Sequence, residues 1–92
     1  MIKVIRLNNG EHVICDLTNG NKSTYIVKHG FTLYPDQDNP KQVKFYSFAP
    51  YSTQGGVLEL SKDSVSFVSE PAVEIIDSYN SILNGTLAPV HE

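Results

Sequence analysis

Cysteine is almost missing from this 92-residue chain. Cys15 is the only one, which excludes an internal disulfide framework and any multi-cysteine metal site. Long hydrophobic runs are missing too, and none approaches the ~20 residues of a membrane-spanning helix. No basic-then-apolar leader precedes Ile2, so the expected compartment is the cytoplasm. Charged residues make up only 18%, and the formal net charge of −3 argues against a protein built only to neutralise phosphate. There is no glycine-rich phosphate loop and no nucleophile elbow. His12, His29 and His91 lack metal-ligand spacing. Asp36 and Asp38 share a proline-flanked loop without the spacing or glycine of a calcium site. Cys15 has no base nearby in the pattern to make it a nucleophile. No enzyme activity and no cofactor are therefore expected.

What is present is β-sheet chemistry. Hydrophobic residues reach 40%, β-branched and aromatic residues abound, and turn residues recur at short intervals. The length suits one domain with one thin core. Ile2–Leu7 and His12–Leu17 read as strands around Asn9-Gly10, a pair that tolerates the positive φ of a type I′ turn. A two-residue turn there puts Ile2, Val4, Val13, Cys15 and Leu17 on one face and Lys3 opposite Asp16. Thr24–Tyr34 alternates with Tyr25, Val27, His29, Phe31 and Leu33 on one side. It is long for a strand, so Gly30 is expected to mark a bend or bulge. Pro35–Pro40 is a polar loop, Val43–Phe48 is extended, and Pro50–Gly56 is irregular. Val57–Leu60 and Ser64–Val68 are short strands around a tight Lys62-Asp63 turn.

The period then changes. Pro71 is placed as a first-turn proline. Ala72, Ile75, Ile76, Tyr79, Ile82 and Leu83 form one apolar helical stripe, and Gly85 ends the helix. Thr86–Glu92 is expected to be a frayed tail.

Two segments carry a family resemblance. Leu7-Asn8-Asn9-Gly10-Glu11-His12-Val13-Ile14-Cys15-Asp16-Leu17 resembles the first half of the Sm1 motif of Sm/LSm proteins, with Cys15 in place of its second glycine. Leu60-Ser61-Lys62-Asp63-Ser64-Val65 resembles the Sm2 motif, with Ser61-Lys62 where the family has Arg-Gly. The likeness covers residues 2–69, and the chain also resembles the small Sm-like proteins of marine cyanophages. It implies a small, strongly bent, five-stranded antiparallel barrel of Sm-like (SH3-like) type, here with a C-terminal helix. It also implies self-association into a ring of about five to seven subunits through strand edges. The ring would bind single-stranded nucleic acid, RNA or DNA, without a membrane. For a phage-encoded chain the compartment would be the host cytoplasm.

The resemblance also places the contacts. Gly30 falls where the family has its uridine-binding Asn, preceded by Lys28 and His29. Ser61 and Lys62 fall where the family encloses the base. The family's Asp and its Sm2 Arg have no counterpart at these positions, so an unaltered oligo-uridine pocket is not expected. His29 reads either as an inward core residue or as a base contact. Lys62 reads either as an exposed turn residue or as one of a ring of positive charges. Phe45, Tyr46, Phe48 and Tyr51 read as core, subunit interface or a stacking platform, and alternation sends Phe45 and Tyr46 to opposite faces. The competing function is a structural or adaptor role in phage assembly, in which the same ring binds protein.

Overall fold

A computed structural model of the chain describes residues 1–39, 42–48 and 57–85. Six antiparallel strands are followed by one helix: β1 (Ile2–Leu7), β2 (His12–Asn19), β3 (Thr24–Pro35), β4 (Val43–Ser47), β5 (Val57–Ser61), β6 (Val65–Ser69) and α1 (Val73–Leu83). A single 3-10 turn, Lys62–Ser64, joins β5 to β6. The sheet runs β4-β3-β2-β1-β6, and β5 also pairs with β3. The expected five-stranded barrel is therefore corrected to six strands in a bent sheet that does not close. The long β3 accounts for the extra strand: β5 pairs with its first half and β4 with its second. Although β5 and β6 are joined by a tight turn, no ladder connects them.

The first hairpin is not the two-residue turn expected. Leu7 N donates to Glu11 O at 2.8 Å and Gly10 N to Leu7 O at 2.9 Å, so the loop is Asn8-Asn9-Gly10. Gly10 takes φ 92° at its last position, the geometry of a three-residue hairpin loop closed by a left-handed residue. One extra loop residue slips the register by one. Lys3 now faces Cys15, and Asp16 faces Ile2. The expected Lys3–Asp16 pair is absent. Lys3 Nζ pairs instead with Glu70, and Asp16 accepts the Met1 ammonium at 2.7 Å. The slip also moves Ile2 and Val4 to the face opposite Val13, Cys15 and Leu17.

The bulge expected near Gly30 is present. Ile14 pairs with Phe31 and Asp16 with Lys28, so Cys15 alone faces both His29 and Gly30. The left-handed residue is His29, at φ 51°, and not the glycine. The extra residue swaps the faces of β3. Val27 packs with Cys15 on one side, whereas Phe31 and Leu33 pack with Ile14 on the other. The single apolar side expected along Tyr25–Leu33 is thereby broken in two, and His29 is exposed, not inward.

Two cores result, one on each face, where one was expected. The first holds Ile5, Leu7, Val13, Cys15 and Val27, closed by Leu58 and Leu60 of β5 and Val65 of β6 as the sheet curls on itself. The second holds Ile14, Phe45 and Tyr79, flanked by Ile2, Val4, Phe31 and Leu33, and is covered by α1 through Ile75 and Ile82. Val13, Ile14 and Cys15 are all fully buried, which identifies β2 as a strand covered on both faces. Of the apolar stripe of α1, Tyr79 alone is fully buried, while Leu83 is 43% exposed. The helix begins two residues later than a first-turn Pro71 requires, with Ala72 as its N-cap. Gly85 closes it at φ 79°. The expected irregular stretch Pro50–Gly56 and the tail Thr86–Glu92 lie outside the described residues.

Candidate nucleic-acid interface

The candidate residues fall into two groups. Lys28, His29 and Gly30 form the bulge in the middle of β3. Lys28 and His29 are exposed on either side of the point where the strand turns over. Gly30 is tightly packed: a Cβ there would lie 3.2 Å from Phe48 Cδ2 and 3.3 Å from Phe48 Cβ. Phe48 N also donates to Gly30 O at 3.0 Å. The glycine thus serves close packing, and its neighbour takes the left-handed turn.

The bulge is braced from below by α1. Tyr79 is 0% exposed, its ring meets Phe31 edge-on at 6.0 Å, and its hydroxyl donates to His29 O at 2.8 Å. Burial holds the Tyr79 hydroxyl well above the usual phenol range, so it stays a protonated donor. Across the ladder, the Met1 ammonium holds Asp16 below the usual carboxylate range, with smaller contributions from Lys28 and His29. A carboxylate therefore sits close to Lys28 and His29.

Ser61 and Lys62 form the second group, at the other end of the β3–β5 ladder. Ser61 pairs with Thr24, whereas Lys28 pairs with Val57, so the two groups stand about 13 Å apart along the strand. Within the chain the expected sites are not brought together. The Ser61 hydroxyl caps the 3-10 turn by accepting from Asp63 N at 3.2 Å. Lys62 is half-buried, its ammonium 5.1 Å from the centre of the Tyr25 ring, in cation–π range. Two loops clamp the turn: Lys62 N donates to Ser23 O at 2.9 Å, and Asn8 Nδ2 to Asp63 O at 2.6 Å.

The aromatic segment divides as alternation requires. Phe45 is buried and excluded from any stacking platform. Phe48 packs against the first core. Tyr46 is half-buried and meets Tyr34 edge-on at 5.3 Å. With Lys44, Pro35, Asp36, Gln37 and Asp38 these two rings line an open cleft of about 570 Å³. Tyr51 lies outside the described residues. Asp38 N donates to Asp36 Oδ1 at 2.9 Å, an ordinary Asx turn.

Cys15 is fully buried, and desolvation pushes its thiol up to about 12, so it is neutral and not available as a nucleophile in the folded chain. Among the described residues no three His, Cys, Asp or Glu side chains gather to hold a metal ion, and no helix is long and apolar enough to cross a membrane. Two features escaped sequence reasoning. The Tyr79 contact was visible only as one position in an apolar stripe, and the Tyr34–Tyr46 pair needs the β3–β4 register. No protein-family model matches the chain, and no curated protein matches it.

Proposed function

We propose that this protein binds single-stranded nucleic acid, with RNA the first candidate, as a homo-oligomeric ring of Sm-like subunits. The single observation that carries this reading is His29. It is an exposed, planar, polar side chain beside an exposed lysine, held on a backbone conformation that histidine enters at a cost. Strained exposed residues on a rigid sheet are a mark of ligand contact. Assembly is supported by the free strand edges. The outer edges of β5 and β6 carry no ladder among the described residues, and Val57, Phe67 and Val68 are exposed there. Edge pairing from subunit to subunit closes the ring and brings Lys62 of one copy towards Lys28 and His29 of another. The protein then acts as a scaffold: lysines hold backbone phosphates and His29 meets a base.

A second reading is an adaptor ring that binds protein. The net charge of −3 and the apolar exposure of Phe67 and Val68 favour it. Filter binding of labelled RNA and single-stranded DNA at two salt concentrations separates the two, with light scattering for assembly. Salt-sensitive binding by an oligomer is the expected result. A monomer at micromolar concentration removes the ring, and no binding at low salt hands the function to the adaptor.

A further inference from the structure

A β-bulge that needs a left-handed residue takes glycine at lowest cost. This chain places His29 there, although glycine follows at position 30. The local sequence therefore does not hold the conformation. Phe48 N ties the neighbouring Gly30 carbonyl, and the contact that meets His29 itself comes from Tyr79, fully buried, in the middle of α1. Its hydroxyl donates to the His29 carbonyl at 2.8 Å, and its ring is wedged against Phe31, just beyond the bulge. The His29 carbonyl is thus held from the buried side while the His29 side chain is exposed.

We propose that Tyr79 is the positioning residue for the His29 site: docking of α1 locks the bulge with the imidazole outward, so that helix docking and ligand occupancy at residue 29 are coupled. The inference rests on the nucleic-acid reading for the identity of the ligand, but not for the lock itself. Coupling is reciprocal. A ligand gripping His29 steadies α1, and loosening α1 weakens the grip. The helix thereby becomes part of the binding apparatus without touching the ligand.

Tyr79→Phe tests this, because it keeps the ring and removes only the donor. The full-length variant is compared with wild type by thermal melting, by backbone NMR shifts of His29 and Gly30, and by binding of a labelled single-stranded RNA of mixed sequence. The expected result is a folded protein whose His29 shifts leave their left-handed values and whose Gly30 shifts move with them, while those of Asn9 and Gly10 stay put. RNA affinity should fall about three- to tenfold with an unchanged salt slope, since no charge is lost. A folded variant with unchanged His29 and Gly30 shifts overturns the proposal. If wild type binds no RNA, the nucleic-acid reading fails, and the shifts still decide whether Tyr79 holds the bulge. If Tyr79→Phe does not fold, the double variant with His29→Gly decides, because glycine enters the left-handed region unaided. Recovery of folding supports the lock, and continued failure shows that the hydroxyl serves the core in general, which overturns it.

Discussion

Residues 10 and 29 both turn the sheet with left-handed backbone, and they do so by different means. At φ 92° the first is glycine, in open space, with the nearest foreign atom 4.0 Å from where a Cβ would sit. Its loop is closed by neighbours in sequence: Leu7 N donates to Glu11 O, Gly10 N to Leu7 O, and Asn9 bonds Glu11 through both its side-chain polar atoms. At φ 51° the second is histidine. Glycine stands one place later because Phe48 crowds that Cβ, and the histidine is held by Tyr79, which is 50 residues away in sequence. The first turn is closed by local bonds, with further ties from Asn8 to Ser64 and Asp63 at its flank. The second exists only once the helix has docked.

Removing the helix should break this comparison most completely. Truncation after Glu70 deletes Tyr79, Ile75 and Ile82 and uncovers Ile14, Phe45, Phe31 and Leu33. Loss of a buried aromatic of this size costs about 3–5 kcal/mol by itself, a large share of the roughly 5–15 kcal/mol that holds a domain together. The truncated chain should bind a hydrophobic dye and aggregate, with the bulge affected before the 8–10 loop. An unchanged melting temperature would show that the helix does not support the sheet.

Next in size are changes at the two turns, with opposite signs. Gly10→Ala should destabilise by about 1–2 kcal/mol, because an L-residue enters the left-handed region at that cost. Nothing crowds the site, so strain is the whole effect. His29→Gly relieves the same strain but adds roughly 0.5–1 kcal/mol of glycine's extra chain entropy. The net should be a gain of about 0.5–1 kcal/mol, accompanied by weaker nucleic-acid binding. Urea denaturation measures both. A destabilised His29→Gly would mean that the imidazole itself braces the bulge, with the nearby Asp16 as its partner.

The same contrast marks what the sequence could disclose. All six strands and the helix were legible within a residue or two, because period and turn residues are local signals. The polar nature of the 36–39 turn and the opposite facing of Phe45 and Tyr46 were legible for the same reason, but not that Phe45 is the buried one. The hairpin register was not. Asn9-Gly10 serves a two-residue or a three-residue loop, and only the Leu7–Glu11 closure distinguishes them. That one slip dissolved the Lys3–Asp16 pair. The exposure of His29 was hidden by the bulge, because alternation counts straight through a residue that the ladder skips. Gly30 announced the irregularity but sat beside the residue that carries it. For the candidate site, Lys28, His29 and Gly30 were adjacent from the start, whereas their separation from Ser61 and Lys62 depends on how β5 lies against β3.

The finest test of the distinction is Asn9→Ala. Asn9 Oδ1 accepts from Glu11 N at 2.9 Å, and its Nδ2 donates to Glu11 Oε1 at 2.6 Å. Both bonds are exposed, so water replaces them when the side chain is removed, and the net loss should be about 0.5 kcal/mol or less. The loop keeps its other ties. Gly10 still reaches Leu7 O, Tyr34 still donates to the second Glu11 oxygen at 3.1 Å, and Asn8 still holds the 3-10 turn. Urea unfolding should therefore show a small shift of midpoint at constant slope. At residue 29 the long-range tie to the carbonyl comes from one hydroxyl, that of Tyr79. A loss at Asn9 as large as that expected at Gly10 would mean that the first turn also hangs on a single contact, and the two left-handed sites would then differ only in which residue supplies it.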